Sequence, residues 1–171
     1  MNVIQLGKDG RTMYQILEIL EKDGRITPEQ IAVMIDSNPQ AVAEEIAKYE
    51  KDGTILGCKT VINWERTMKE SVTAFIELKV TPQIGQGFDK IAEKIYKYDM
   101  VTSVYLMSGG FDLSVFIEGH TLKEVSLFVA EKLAPMDSVI STATHFVLRK
   151  YKDGGVVFAP NHEDKRRMIT L

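Results

Sequence analysis

Two helix starts follow each other at close range near the amino terminus of this 171-residue chain. Thr27-Pro28-Glu29-Gln30 has the residues of a capping box with proline at the first helical position, and Asn38-Pro39 repeats the cap and the proline. Apolar residues at helical spacing follow each start, so the pattern predicts two capped helices separated by a turn of three or four residues. That spacing is typical of a helix-turn-helix.

An earlier helix and a short hairpin complete the first part of the chain. Four apolar residues recur at intervals of three and four before Gly24, which predicts one helical face: Met13, Ile16, Leu17 and Leu20. After the third helix, which Gly53 ends, residues 55–57 and 60–62 are predicted to pair as a wing. Residues 1–63 are therefore predicted to form a winged helix-turn-helix domain.

Strand and helix patterns alternate in the second part, after a polar, aperiodic stretch at residues 64–70 that is predicted to be a linker. Strands are predicted at residues 72–80, 101–107, 111–117 and 139–150, with helices beginning near Phe88 and at the capping box of Thr121. The order β-α-β-β-α-β is that of a ferredoxin-like, or ACT-like, sandwich. An α+β fold is predicted, with the ferredoxin-like domain over residues 71–158 and a polar tail over residues 159–171.

Apolar side chains are predicted on both faces of this four-stranded sheet. The alternating row from Val72 to Val80 occupies one face, but Phe75 lies on the other. On the third strand, Phe116 opposes the row that contains Phe111 and Ile117. Because the predicted elements leave no layer to cover the second face, another copy of the chain is the simplest cover. An obligate dimer is predicted.

Charge and composition narrow the classes of function. The chain has a net charge of −3, and residues 1–64 alone carry seven basic and ten acidic residues, which argues against non-specific coating of nucleic acid. No apolar run in the sequence approaches the roughly 20 residues that cross a bilayer, and the amino terminus lacks the pattern of a secretory signal. With a single cysteine and no membrane segment, a soluble cytoplasmic protein is expected.

Neither a catalytic nor a metal-binding constellation is evident in the sequence. His120, His145 and His162 are scattered, without acidic residues or cysteine at a repeating ligand spacing. The Gly85-Gln86-Gly87 stretch lacks the lysine of a phosphate loop, and no Ser-His-Asp or Cys-His arrangement stands out. The chain is therefore predicted not to be an enzyme, and neither a metal nor a cofactor is expected.

With these elements in place, the chain resembles the leucine-responsive regulatory protein/AsnC (Lrp/AsnC) family over roughly residues 10–157. The resemblance is carried by Gly-Thr-Ile-Leu-Gly at residues 53–57, by Val-Tyr-Leu-Met-Ser-Gly-Gly-Phe-Asp-Leu at residues 104–113, and by Ser-Thr-Ala-Thr at residues 141–144. It implies a regulator that binds double-stranded promoter DNA and is tuned by a small effector, usually an amino acid, bound between ferredoxin-like domains. It also implies homodimers, which in many members assemble into octamers.

Seven residues are the candidates for contact with DNA. Those of the third helix are expected to reach base edges and the basic ones outside it to meet the phosphate backbone: Asn38, Gln40, Ala41 and Lys48, with Arg11, Arg25 and Lys59. Gln40 can pair with adenine through two hydrogen bonds, and Ala41 can touch a thymine methyl group.

The third helix is acidic where the family is usually basic. Residues 39–52 contain two basic and four acidic residues, and Glu44 and Glu45 stand about where arginines are expected. A carboxylate can accept a hydrogen bond from cytosine N4, but it repels the phosphates that supply most of the affinity. The alternative is that these glutamates and Lys48 form a solvated face without a DNA partner. The protein would then be an amino-acid-sensing module with weak or lost DNA binding.

Seven residues are also the candidates for contact with the effector: Ser108, Gly109, Gly110, Phe111, Asp112, Thr142 and Thr144. The turn offers backbone N–H groups to a carboxylate, Asp112 offers a negative charge to an ammonium group, and the threonines offer hydroxyls. The alternative is a tight hairpin in which the two glycines provide positive φ and Asp112 caps the turn.

Overall fold

The computed structural model describes residues 8–82 and 87–158, with side chains from residue 14 onward. The chain divides into two compact units, Met1–Thr60 and Val61–Leu171. Within the described ranges, no helix combines the length and the apolar character that crossing a membrane requires. The predicted tail, with its basic residues 165–167, lies outside the described residues, as does most of the Gly85-Gln86-Gly87 loop.

The first unit is built from three helices: α1 (Lys8–Lys22), α2 (Pro28–Ile35) and α3 (Pro39–Lys51). Its core is a small apolar cluster to which each helix contributes: Ile16, Ile31, Ala32, Val42 and Tyr49. This confirms the predicted helix-turn-helix.

The predicted caps of the first unit are confirmed. Both hydrogen bonds of the capping box at Thr27 are present, and the Asn38 side chain accepts a hydrogen bond from the backbone N–H of Gln40 at 2.7 Å. In the turn between α2 and α3, Asp36 has a left-handed backbone with φ of 52°, which aspartate tolerates better than most residues. These local signals therefore fix where α2 and α3 begin and how closely they follow each other.

The predicted wing is absent, because residues 55–62 form no strand in the structure. The chain leaves α3 through Gly53, and the backbone N–H of Ile55 donates to the carbonyl of Tyr49 at 2.9 Å. Ile55 packs against the helical core, whereas Leu56 is 94% exposed. Two strands of three residues each are too short to form a stable isolated hairpin. The packing of the Ile55 side chain on the core therefore determines the path of this segment. The prediction of paired strands here was wrong.

The second unit has the predicted order of elements. Its sheet consists of β1 (Val72–Val80), β2 (Val101–Leu106), β3 (Leu113–Gly119) and β4 (Val139–Phe146), arranged β2-β3-β1-β4 with antiparallel neighbours. Helix α4 (Asp89–Tyr96) follows β1, and α5 (Leu122–Phe128) follows β3 and is prolonged by a π-helical turn, Val129–Leu133. The ferredoxin-like β-α-β-β-α-β fold is confirmed.

The core of the second unit lies between the sheet and its two helices. Apolar side chains alternate along the covered face of the strands and meet those of the helices: Ala74, Ile76, Leu78, Leu113, Val115 and Ile117 from the sheet, with Ile91, Ile95, Val125, Val129 and Leu133 from the helices. At the start of α5, Thr121 caps the helix as predicted, but the Glu124 carboxylate accepts from the backbone N–H of His120 at 2.6 Å.

The end of the second unit differs from the prediction. Strand β4 stops at Phe146, and a small hairpin follows, formed by β5 (Lys152–Asp153) and β6 (Val156–Val157). Gly154 and Gly155 connect its strands with φ of 52° and 81°. A Gly-Gly pair with positive φ at both residues is a common two-residue hairpin turn, so the sequence carried a signal for this element.

Candidate functional site

The exposed face of α3 is the surface that a helix-turn-helix places against DNA. Val42 and Tyr49 are buried and Ile46 is half-buried on the opposite face. At about 100° per residue, four exposed residues lie farthest from that core and form what we call the outward stripe: Gln40, Glu44, Ala47 and Lys51. Ala41, a predicted DNA contact, is exposed but lies about a quarter turn from this stripe.

Lys48, another predicted DNA contact, is held by its own helix. Its ammonium group lies 3.0 Å from the carboxylate of Glu45. The buried hydroxyl of Tyr49 and the Lys48 ammonium lower the pKa of the Glu45 carboxyl. The Tyr49 hydroxyl makes no hydrogen bond within 3.5 Å among the described atoms, so its contact with Glu45 is a long, weak one. Much of the positive charge of Lys48 is therefore balanced before any DNA arrives.

The remaining predicted DNA contacts are separate from the outward stripe. The carbonyl oxygen of the Asn38 side chain caps α3, which leaves only its amide hydrogens for another partner. Arg25 and Lys59 are exposed, and neither side chain forms an ion pair with a described carboxylate. Arg11 lies in α1, outside the residues whose side chains the structure describes.

Two charged residues of the outward stripe, Glu44 and Lys51, were not among the predicted DNA contacts. Both are exposed, and the ion pairs of the described residues include neither of them. A signal was present in the sequence: both residues follow Gln40 at helical intervals, four and eleven residues later.

The second candidate site is the turn between β2 and β3. The turn is closed by a hydrogen bond from the backbone N–H of Met107 to the carbonyl of Asp112, at 2.8 Å. Ser108, Gly109 and Gly110 are exposed at its tip. Neither glycine has positive φ, and a Cβ atom added to either would meet no atom within 4 Å. The alternative in which these glycines merely provide positive φ is therefore wrong.

Asp112 attaches this turn to the neighbouring strand. The pairing of β1 with β4 shifts register between Lys79 and Val80, and the Asp112 carboxylate accepts the backbone N–H of Val80 at 2.8 Å. The backbone N–H of Asp112 donates to the carbonyl of Leu78 at 2.9 Å. Asp112 therefore has a structural role in this turn, as the alternative in which Asp112 caps the turn predicted. An ionised carboxylate has acceptor sites to spare, so it can still receive an ammonium group.

The predicted effector residues gather at one end of the sheet but not on one face. Leu78 of β1 pairs with Leu113 on one side and with Thr142 on the other, so the turn and Thr142 lie at the same end. Thr142 and Thr144 are half-buried, and their places opposite Leu78 and Ile76 put them on the helix-covered face. The Phe111 ring lies against Phe75 on the other face, because residue 111 belongs to the turn and does not continue the alternation of β3.

The face of the sheet away from the helices carries a cluster of rings, here called the aromatic face: Phe75, Tyr105, Phe111, Phe116 and His145. Phe75 lies at its centre, with ring centroids 5.2 Å from Phe116, 5.6 Å from His145 and 5.9 Å from Phe111. The His145 imidazole also lies 3.2 Å from the Glu77 carboxylate. Tyr105 is 55% exposed, and both helices of the unit pack on the opposite face of the sheet.

Cavities and metal ligands do not point to a third kind of site. Two cavities of about 450 and 540 Å³ lie in the second unit, and neither is lined by the residues predicted to contact the effector. Residues 107–110 of the turn are exposed, and residues 111 and 112 are half-buried. In the described part of the chain, no group of three or more histidine, cysteine or acidic residues is placed to hold a metal ion.

Comparison with known proteins matches both units to regulator domains. A family model described as winged helix-turn-helix DNA-binding matches residues 10–55, and one described as Lrp/AsnC ligand binding domain matches residues 73–157. The HTH-type transcriptional regulator YugG of Bacillus subtilis is 46% identical over 157 residues, which span 91% of this chain and 95% of that protein. The regulatory protein AsnC of Haemophilus influenzae is 26% identical over 130 residues, spanning 76% of this chain and 85% of that protein.

The fold is shared with solved structures of regulators. A transcriptional regulator from Neisseria meningitidis, solved as a complex with L-Met, matches 84% of this chain and 92% of its own, with a TM-score of 0.68 and 20% identity. At that identity the likeness concerns the fold alone.

Proposed function

The chain belongs to the Lrp/AsnC family of DNA-binding transcriptional regulators, and from this premise we propose that it acts in the cytoplasm as a homodimer tuned by an amino acid. Its relatives and both matched domains are those of regulators and not of enzymes. The effector would bind at the turn between β2 and β3, where a neighbouring ferredoxin-like domain would complete the site.

Gly109 and Gly110 carry the proposal of an effector site. Glycine is the usual residue where the backbone is left-handed or where a neighbouring atom leaves no room for a Cβ atom. Neither reason applies within the described chain, since both glycines have ordinary φ and open space around them. A ligand or a second subunit that approaches the backbone closely would supply the missing reason. Backbone N–H groups free of side chains suit the carboxylate of an amino acid.

The aromatic face supports the proposed homodimer. Three half-buried phenylalanine rings and the exposed Tyr105 lie on the face of the sheet opposite the helices. An apolar patch of this kind on a sheet suits an interaction surface, and a second copy presents the same patch in a two-fold arrangement. The Glu77–His145 pair lies on the same face and would add a polar contact to that interface.

The effector proposal is tested by thermal denaturation of the full chain with each of the twenty amino acids, L-methionine among them. A ligand at about one hundred times its Kd stabilises by about 2.7 kcal/mol, which corresponds to a rise in Tm of about 5–10 °C for a chain of this size. We expect Gly109→Ala and Gly110→Ala to keep the Tm of the free protein and to lose the ligand shift.

The matched control for these variants is Gly154→Ala in the β5–β6 turn. Its backbone has φ of 52°, so alanine should lower the Tm of the free protein while leaving the ligand shift intact. A ligand shift that survives in both Gly109→Ala and Gly110→Ala would rule out this turn as the effector site.

DNA binding and assembly are tested separately. Filter binding of the upstream region of the gene at two salt concentrations should give retention that falls steeply with salt, as phosphate contacts require. No retention even at low salt would favour the amino-acid-sensing module instead. Light scattering should give the mass of a dimer or of an assembly of dimers, and a monomer in dilute solution would contradict the proposed interface.

A further inference from the structure

We infer that Glu44 is a specificity-determining residue that selects cytosine in the operator, an inference that rests on the proposed DNA-binding function. Glu44 lies at the centre of the outward stripe of α3, opposite the buried Val42 and Tyr49. A helix-turn-helix presents this face of its second helix to the major groove. Residues in the N-terminal part of that helix contact base edges, and Glu44 is the sixth residue of α3 and lies on the outward stripe.

The two adjacent glutamates of α3 have different partners. Glu45 is half-buried and lies 3.0 Å from the Lys48 ammonium, so its charge is already balanced. Glu44 is exposed, and the ion pairs and side-chain hydrogen bonds of the described residues do not include it. Its carboxylate is therefore available to an outside donor.

The neighbours of Glu44 allow the helix to come close to the bases. Of the four residues beside Glu44 on the surface of α3, Ala41 and Ala47 extend only to Cβ, and the other two are Gln40 and Lys48. Long side chains at positions 41 and 47 would hold the helix away from the groove floor. With alanine at positions 41 and 47, and with the Lys48 ammonium group held at Glu45, the Gln40 and Glu44 side chains are left to extend from this face.

The chemistry of an ionised carboxylate restricts which base it can meet. A carboxylate only accepts hydrogen bonds, and in the major groove only cytosine N4 and adenine N6 donate them. Guanine offers N7 and O6 as acceptors and thymine offers O4, so both bases repel Glu44. In the major groove the adenine N6 donor lies between two acceptors, its own N7 and thymine O4, whereas cytosine N4 has an acceptor, guanine O6, on one side only. Glu44 therefore favours cytosine.

The spacing to Gln40 extends the inference to a second base. The two residues are one helical turn apart, a rise of about 6 Å, and base pairs are stacked at about 3.4 Å. Gln40 pairs with adenine through N6 and N7. The operator half-site is thus expected to contain an adenine and a cytosine one or two base pairs apart.

The test is selection from random double-stranded DNA by the purified full-length chain, with and without a mixture of amino acids. The variants are Glu44→Gln, Glu44→Ala and, as a control, Glu50→Gln, which removes one exposed carboxylate of α3 away from the outward stripe. The wild-type motif should contain a constant cytosine. We expect Glu44→Gln to change it to adenine, Glu44→Ala to make that position degenerate, and Glu50→Gln to keep the wild-type motif.

Affinities for single operators make the test quantitative. Changing the selected cytosine to thymine should weaken the wild-type protein by about 5- to 150-fold, the range of one good base contact, and should affect Glu44→Ala much less. If the wild type enriches a motif that both Glu44 variants retain, Glu44 is only a solvated charge and the inference fails while the proposed function stands. If the wild type enriches no sequence, the DNA-binding proposal fails together with the inference.

Discussion

Replacing Glu45 by glutamine should free a cation for DNA without unfolding the protein. The carboxylate holds the Lys48 ammonium at 3.0 Å, with side-chain exposures of 34% for Glu45 and 65% for Lys48. An ion pair as exposed as this contributes little to stability, about 0.2–1 kcal/mol before screening by salt. Glu45→Gln should therefore lower the free energy of unfolding by at most a few tenths of a kcal/mol.

The effect on DNA binding should be larger and should depend on salt. Lys48 lies beside the outward stripe, so with α3 in the major groove its side chain would be placed toward the flanking phosphates. One additional phosphate contact steepens the slope of log K against log salt by about 0.9. Between 200 mM and 50 mM salt, this slope gives a further gain in affinity of about three- to fourfold relative to the wild type.

Filter binding to one fixed operator over a salt series measures that slope, and urea denaturation measures the stability. The control is Glu50→Gln, which changes the net charge equally but does not touch the Glu45–Lys48 pair. If the two variants have the same slope, the gain is one of net charge, and Lys48 is not a phosphate contact that Glu45 restrains.

Three further perturbations address stability and assembly. Asp112→Ala leaves the backbone N–H of Val80 without its acceptor and should lower the free energy of unfolding by about 1.5–3 kcal/mol, with Asp112→Asn retaining most of it in urea denaturation. An unchanged urea midpoint for the alanine variant would show that this hydrogen bond does not stabilise the turn. Phe75→Ser on the aromatic face should shift the mass in light scattering toward the monomer, and an unchanged mass would place the interface elsewhere. Lowered carboxyl pKa values, caused by Thr54 at Asp52 and by Lys97 at Glu93, contribute stability that is complete above the unfolded-state pKa. This contribution is lost as the pH falls through the folded-state pKa values, which are lower than the unfolded-state ones. The urea midpoint should therefore decrease as the pH is lowered through this acid range, and it should not change with pH above the unfolded-state pKa values.

The elements with local causes were predictable from the sequence. A cap depends on residues three positions apart, so Thr27 and Asn38 indicated where α2 and α3 begin. The left-handed turn at Asp36 follows from the same short segment. The alternation along β1 likewise placed Phe75 on the face opposite the core, because one face of a strand repeats every second residue.

The errors arose where distant contacts decide the structure. Residues 55–62 resemble two short strands, but the packing of Ile55 on the helical core decides their path. The register shift after Lys79 is stabilised by Asp112, which lies 32 positions from Val80 in the chain. Neither contact has a signature in a short window of sequence. The β5–β6 turn did have one, in Gly154 and Gly155, and was overlooked.

The candidate DNA contacts were chosen for the chemistry of their side chains, and Gln40 is the one among them that lies on the outward stripe. Asn38 and Lys48 have suitable side chains, but the cap engages one and the ion pair engages the other. The spacing from Gln40 places Glu44 and Lys51 on the same helical face as Gln40, since residues four and eleven positions apart share a face. The ion pair itself could not be predicted, because Glu45 and Glu44 are both close enough in sequence to pair with Lys48.

The described glycines differ in whether the fold of one subunit requires a residue without a side chain at their position. Gly53, Gly57, Gly87, Gly154 and Gly155 have positive φ, and Gly24 and Gly119 have neighbours within 3.1 Å of a Cβ position. Only Gly109 and Gly110, of those described, have neither constraint. The aromatic face is a second such feature, since its half-buried rings pack on one another while both helices lie on the opposite face of the sheet. Both features cost an isolated chain stability, and for this reason we propose that a ligand or a second copy contacts them.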